Sequence, residues 1–246
     1  MYMKNKLCAM LAAAAFATAG SASASVVSAG GELLSTLLDR PFEASVTATS
    51  QELFRGTHVG DSLIAASVGT DWALAGDVTL DLGLSFEENS DADFETLFAA
   101  KATKAVAGYD VSVGFNYYSE GTKVVGDITS ELGLGVSRTV GPVDLSVTQF
   151  IALKGDNDNY GEVGAGLSRA VAGRVIDVKG AVGYVLDEAE LTHAQVTLST
   201  DFTVDPFDLK VTPYVTGVLA LASDAGGIYD GADDEVVVGV KVSKSF

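Results

Sequence analysis

The chain has 246 residues, with 33 acidic against 15 basic side chains and a formal net charge of −18. Hydrophobic residues make up 48% and charged ones only 20%, yet beyond the first twenty-odd positions no run approaches the ~20 apolar residues of a membrane helix. The acidic balance argues against a nucleic-acid partner. Apolar content spread over short alternating stretches points instead to a β-barrel in a membrane, where lipid-facing and lumen-facing residues take turns.

Lys4 and Lys6 precede an alanine-rich apolar core at 7–20, and Ala22-Ser23-Ala24 supplies a small-x-small cleavage pattern. Residues 1–24 are therefore expected to be a cleaved export signal. Its removal takes away Cys8, the single cysteine, so no disulfide or thiolate metal site is expected in the remainder. Next, Leu33, Leu34, Leu37 and Leu38 share one helical face before Pro41 stops it. So short a helix is marginal alone, and 25–41 is expected to form an N-terminal periplasmic segment leading into a barrel over 42–246.

Short similar stretches recur at roughly 32-residue intervals from there on. They are Arg40-Pro41-Phe42, Ala73-Leu74-Ala75-Gly76, Ala105-Val106-Ala107-Gly108, Thr139-Val140-Gly141-Pro142, Ala170-Val171-Ala172-Gly173 and Thr203-Val204-Asp205-Pro206. Their Gly and Pro suit tight turns. Midway between them lie longer, mostly acidic loops at 56–61, 87–93, 119–126, 154–159, 187–192 and 222–234.

Between turn and loop the residues alternate. Val78, Leu80, Leu82, Leu84 and Phe86 oppose Thr79, Asp81, Gly83, Ser85 and Glu87; Tyr109, Val111, Val113, Phe115 and Tyr117 oppose Asp110, Ser112, Gly114, Asn116 and Tyr118. Period two with one apolar face means strands. Two per repeat predicts about twelve antiparallel strands, an all-β up-and-down barrel with both termini at the periplasmic end and the acidic loops extracellular. The weakest strands on this pattern are 94–103, where Leu97 falls on the polar side, and glycine-rich 160–169.

Aromatic girdles are expected at both interfaces. Phe42, Trp72, Tyr109, Phe202, Phe207 and Phe246 fall at one set of strand ends, and Phe54, Phe86, Phe94, Tyr117, Tyr160 and Tyr184 at the other. Phe98, Phe115, Phe150 and Tyr214 lie mid-strand.

Together these features resemble the Gram-negative outer-membrane β-barrels of the porin-like class. That resemblance implies outer-membrane lipid and lipopolysaccharide as surroundings and the barrel-assembly machinery as a partner. It also implies an assembly signal in the last strand, matched by Phe246 with Val242 and Val240 before it; Lys244 departs from the pattern. Ser50-Gln51-Glu52-Leu53-Phe54-Arg55-Gly56 is similar to a family of uncharacterised outer-membrane proteins whose first strand ends in Tyr-x-Phe-Arg-Gly, with Glu52 in place of the tyrosine.

Catalytic constellations are scarce. His58 and His193 are the only histidines, and no nucleophile or orienting partner is spaced to form a triad with either. The stretch 154–161 begins like a calcium loop but has Tyr160 and Leu167 where ligands belong. No metal and no cofactor is expected. Function then rests on the polar face, which would line a pore with Asp81, Glu95, Lys101, Asp110, Asn116, Glu131, Asp144, Asp177, Lys179, Gln195, Asp201, Lys210, Glu235 and Lys241. Carboxylate rings favour cations, and small residues such as Gly83, Gly114, Gly133, Gly135, Ser146, Thr148 and Ser199 leave room for water. The leading expectation is a narrow, cation-preferring channel for ions or small polar solutes. A closed structural barrel acting through its acidic loops is the alternative, and an outer-membrane hydrolase using His193 ranks last.

Overall fold

The computed structural model describes residues 41–246 apart from 56, 90–94, 120–129, 155–158, 187–188 and 222–233. The expected export signal, the leucine helix and the bodies of most acidic loops lie outside the described residues.

Twelve antiparallel strands close into a barrel. In chain order they are β1 (Glu43–Thr49), β4 (Leu63–Leu74), β5 (Val78–Asn89), β6 (Glu95–Val106), β7 (Tyr109–Tyr118), β8 (Ser130–Val140), β9 (Val143–Lys154), β10 (Tyr160–Val171), β11 (Arg174–Val185), β12 (Glu190–Thr200), β14 (Leu209–Ala220) and β15 (Glu235–Ser245). The short β13 (Phe202–Val204) continues the line of β12 past Asp201, also pairing with β14. The weak strands of the sequence pattern, β6 and β10, are full ladder members.

Closure is made by β1 and β15, in register from Glu43↔Ser245 to Thr49↔Gly239. Phe42 and Phe246 extend that seam, with backbone bonds of 3.2 and 2.9 Å in the two directions and rings stacked at 4.9 Å. A sheet edge left open in lipid would strand its N–H and C=O groups, so this seam is obligatory.

Tight turns gather at one end, the turn end. Val106↔Tyr109 and Val171↔Arg174 are joined by two residues each. Ala107 and Gly108 have φ of 53° and 81°, and Ala172 and Gly173 have 51° and 80°. Two positive φ values make the hairpin turn that matches strand twist, and glycine takes the second at no steric cost. The long connections gather at the other, loop end.

The two faces separate by parity. Val113, Val136, Val147, Val163, Val196 and Val238 point outward and are 45–58% exposed, the apolar outer face of a lipid-embedded barrel. Residues of the other parity, among them Gly83, Gly114, Gly133, Gly135, Ser137 and Ser146, line the interior. Near the seam Ser45 donates to or accepts from Ser67 at 2.7 Å, and Thr197 meets Thr216 at 2.8 Å.

Three sequence expectations need correction. The first strand stops at Thr49, and 50–62 is no simple polar loop: it carries a hairpin, β2 (Glu52–Phe54) and β3 (Thr57–Gly60), outside the barrel ladder. The likeness of 50–56 to a first strand ending in Phe-Arg-Gly made it read as more of β1. Tyr160 belongs to no lipid girdle, since it faces inward and is 1% exposed. Phe207 sits in a turn rather than at a strand end, 63% exposed. Of the mid-strand aromatics, Phe98 and Phe115 face lipid, whereas Phe150 faces the lumen.

Candidate functional site

The β2–β3 hairpin is the feature that shapes the lumen. Phe54 pairs with Thr57, which puts Arg55 in the turn with φ of 51°. That backbone region costs a residue with a β-carbon about 1 kcal/mol or more, and persists only where surrounding contacts fix it. Those contacts come from the opposite wall. The Arg55 guanidinium bonds Glu131 on β8 through Nη2, and Tyr118 on β7 donates its hydroxyl to the same carboxylate at 3.1 Å. The side chains of Arg55 and Glu131 are only 7% and 1% exposed.

Aromatic rings complete the arginine's surroundings. Its Cζ lies 4.6 Å from the Tyr160 ring centroid and 5.3 Å from that of Phe150. Guanidinium planes favour such faces, strongly so when desolvated. Phe150, Tyr160 and His193 form a row, with successive centroids 6.1 and 6.2 Å apart and the Tyr160 and His193 planes within 2° of parallel. Each is an inward position on β9, β10 or β12. A β-bulge at Gly183/Tyr184 inserts Thr192 opposite β11, and Thr192 Oγ1 lies 3.0 Å from His193 Nδ1.

The foot of the hairpin is tied to β15. Gln51 Nε2 donates to Glu235 at 2.9 Å, and His58 approaches the same carboxylate at 3.6 Å. The hairpin thus spans the lumen from the β15 side to β8–β10.

Below it the interior is open. A cavity of about 580 Å³ is lined by Asp81, Lys101, Asn116, Gly133 and Ser146 among others. A second of about 470 Å³, with Asp144, Lys179 and Gln195 in its wall, shares Ser137 and Ser146 with the first. A third of about 330 Å³ lies against Leu53, Arg55 and Glu131, sharing Asn116 and Phe150 with the first and Glu162 and Gln195 with the second. The shared walls make these adjoining spaces of one interior, with charged and polar groups set among small residues.

Its charges follow the strand registers. Lys101 pairs with Asp81 at 3.4 Å, Lys210 with Asp201 at 2.8 Å and Lys241 with Glu43 at 2.8 Å, all toward the turn end. Asp144 accepts from Thr139 at 2.6 Å, and Asp177 accepts from the Ser168 hydroxyl. Asp110 lies opposite Ser137, and Glu95 opposite Glu87 near the loop end. Among the described residues no group of three or more His, Cys, Asp or Glu is placed to hold a metal ion.

Sequence reasoning named Glu131, Asn116, Gln195 and Glu235 but missed Arg55, Tyr118, Phe150 and Tyr160 as members of one cluster. A usable signal existed. Tyr118, Phe150, Tyr160 and His193 all have lumen parity near the loop end, where bulky rings must meet something that fills the interior.

No family model and no curated protein matches the chain. Solved structures do. An outer-membrane channel from Pseudomonas putida F1 aligns with TM-score 0.52 at 11% identity, covering 92% of this chain and 98% of its own. A membrane protein solved in work on in-meso crystallisation aligns with TM-score 0.53 at 11% identity, covering 84% of each chain. The KdgM porin aligns more loosely, with TM-score 0.45 at 8% identity over 84% of this chain and 99% of its own. At such identities the likeness concerns the fold: the closed ladder is a twelve-stranded antiparallel β-barrel, an architecture it shares with the outer-membrane channel from Pseudomonas putida F1.

Proposed function

We propose that the protein is a narrow outer-membrane channel for ions and small polar solutes, preferring cations, with its constriction formed by the β2–β3 hairpin. The observation that carries this reading is the pair of adjoining cavities in the barrel interior, walled largely by glycine, alanine and serine rather than packed with large side chains. Cation preference is supported by the lumen charges: Lys101, Lys210 and Lys241 are neutralised by carboxylates, while Asp110, Asp144 and Asp177 outnumber Lys179 on the same inward face of the strands.

The turn end is assigned to the periplasm. Short periplasmic turns and long extracellular loops are the usual asymmetry of these barrels. A second feature supports it: Lys104, Arg138, Arg169, Arg174 and Lys244 have outward parity close to the turns, where they meet phospholipid headgroups. Arg138 and Arg174 also lie over Tyr109 and Phe202, at 4.9 and 4.3 Å, as snorkelling side chains in an aromatic girdle do. Phe246, Val242 and Val240 remain the assigned assembly signal.

A closed barrel is the second reading, favoured by the burial of the Arg55–Glu131 pair. Planar-bilayer recording separates the two. The channel reading requires discrete steps from the refolded barrel, and their absence with both the native chain and Arg55→Ala supports the closed barrel. A hydrolase gains no support from His193, whose ring is stacked and 1% exposed.

A further inference from the structure

The cluster that holds Arg55 has the chemistry of a binding site for a planar cation. Glu131 is a carboxylate buried to 1% exposure and backed by the Tyr118 hydroxyl at 3.1 Å. Tyr160 and Phe150 offer ring faces beside it, and Glu162 lies 3.2 Å from the Tyr160 hydroxyl, adding a second carboxylate to the wall. A buried carboxylate oxygen beside an aromatic face suits guanidinium better than a spherical ion, because a planar cation can donate to the oxygen edge-on while its face stacks on the ring.

The group now in this site is held by different means from everything around it. Glu131, Tyr118, Phe150 and Tyr160 project from barrel strands whose ladders cannot move separately. Arg55 projects from the tip of a two-stranded hairpin outside the ladder, and an isolated two-stranded hairpin is marginal by itself. The cavity of about 330 Å³ adjoins the arginine and shares Asn116 and Phe150 with the cavity below it. A solute rising through the lumen therefore reaches the site beside Arg55.

We propose that Arg55 is a tethered stand-in for the solute: the Glu131–Tyr118–Tyr160–Phe150 site binds guanidinium-bearing solutes, and Arg55 competes with them for it. This deepens the channel reading, on which it rests for the route by which a solute arrives. A tethered ligand acts at an effective concentration on the order of millimolar. A free guanidinium must exceed that in the native protein, whereas without Arg55 the site is open to it at lower concentration. Removing the arginine also leaves Glu131 buried without its cation, so an added guanidinium restores lost stability.

The test is a thermal-unfolding series on the barrel refolded in detergent, with methylguanidinium chloride at low millimolar concentration and sodium chloride at equal ionic strength as reference. Arg55→Ala should unfold at lower temperature than the native barrel and regain about 2–4 °C with methylguanidinium but not with sodium. The native barrel should show no shift at the same concentration. Adding Glu131→Gln, close to isosteric and neutral, should abolish the gain; Tyr160→Leu in the Arg55→Ala background should reduce it if that double variant refolds poorly. No shift in Arg55→Ala, or an equal shift with Glu131→Gln present, overturns the proposal. Bilayer recordings on the same preparations keep the two readings apart: conductance without a shift sinks the binding site alone, and a shift without conductance sinks the channel alone.

Discussion

Arg55 and Glu131 meet across the barrel interior as a buried ion pair between residues 76 apart in sequence. Taking one partner from such a pair leaves an uncompensated buried charge, which costs about 3 kcal/mol or more. Arg55→Ala strands the strand-borne Glu131 in the wall, so it should destabilise the barrel by about 3 kcal/mol. Glu131→Gln should cost less, about 1–2 kcal/mol, because the arginine is on a hairpin that withdraws to water. The double variant should resemble Glu131→Gln. Urea unfolding in lipid vesicles, followed by the fluorescence of Trp72, the only tryptophan, measures all three.

Gly161 and Tyr184 form a joint on the lipid face. A β-carbon at 161 would lie 2.1 Å from Tyr184 Cζ, and the Tyr184 hydroxyl donates to Gln149 Oε1 at 3.2 Å across that glycine. Gly161→Ala should displace the ring, break that bond and cost about 1–3 kcal/mol. Gly83→Ala has nothing within 4 Å of the added carbon and should be close to neutral in the same unfolding measurement.

The closing seam gives a separable prediction. Phe246→Ala removes the Phe42 stack, worth about 0.5–1.5 kcal/mol, but not the backbone bonds of the seam. The variant should refold in vitro with nearly native stability. In cells it should reach the outer membrane in several-fold lower amount, as heat-modifiable band intensity would report, because the proposed assembly signal loses its terminal aromatic. Unchanged levels in cells would remove Phe246 from that role.

Much of the architecture was legible in the residues. Strand count and strand parity follow from period-two alternation interrupted by Ala-Val-Ala-Gly turns, where a glycine at positive φ closes the hairpin locally at Gly108 and Gly173. Such signals act over two or three residues, and sequence carries them openly. The hairpin that fills the lumen was hidden because 50–56 is similar to a first strand ending in Phe-Arg-Gly, although Ser50, Glu52 and Leu53 break the alternation of β1. Its true partners, Glu131 and Tyr160, lie on strands far along the chain. Nothing local marks Arg55 as turning inward; the aromatic residues of lumen parity that receive it were the only trace.

Selectivity follows from the lumen charges. Neutralising Asp110, Asp144 and Asp177 together removes three turn-end lumen carboxylates, while leaving the Lys101–Asp81, Lys210–Asp201 and Lys241–Glu43 pairs intact. The Asp→Asn triple variant should lose most of its cation preference with little change in conductance, read as a reversal potential near zero under a potassium chloride gradient. A reversal potential equal to that of the native barrel would shift the source of selectivity to the loop end.

Single-channel recording of the native barrel beside Arg55→Ala, in a planar bilayer under a potassium chloride gradient, tests the central claim most directly. A lumen constricted by the hairpin predicts small cation-selective steps from the native protein and steps several-fold larger when the arginine is gone. Silence from both proteins, or reversal potentials favouring chloride, would contradict it.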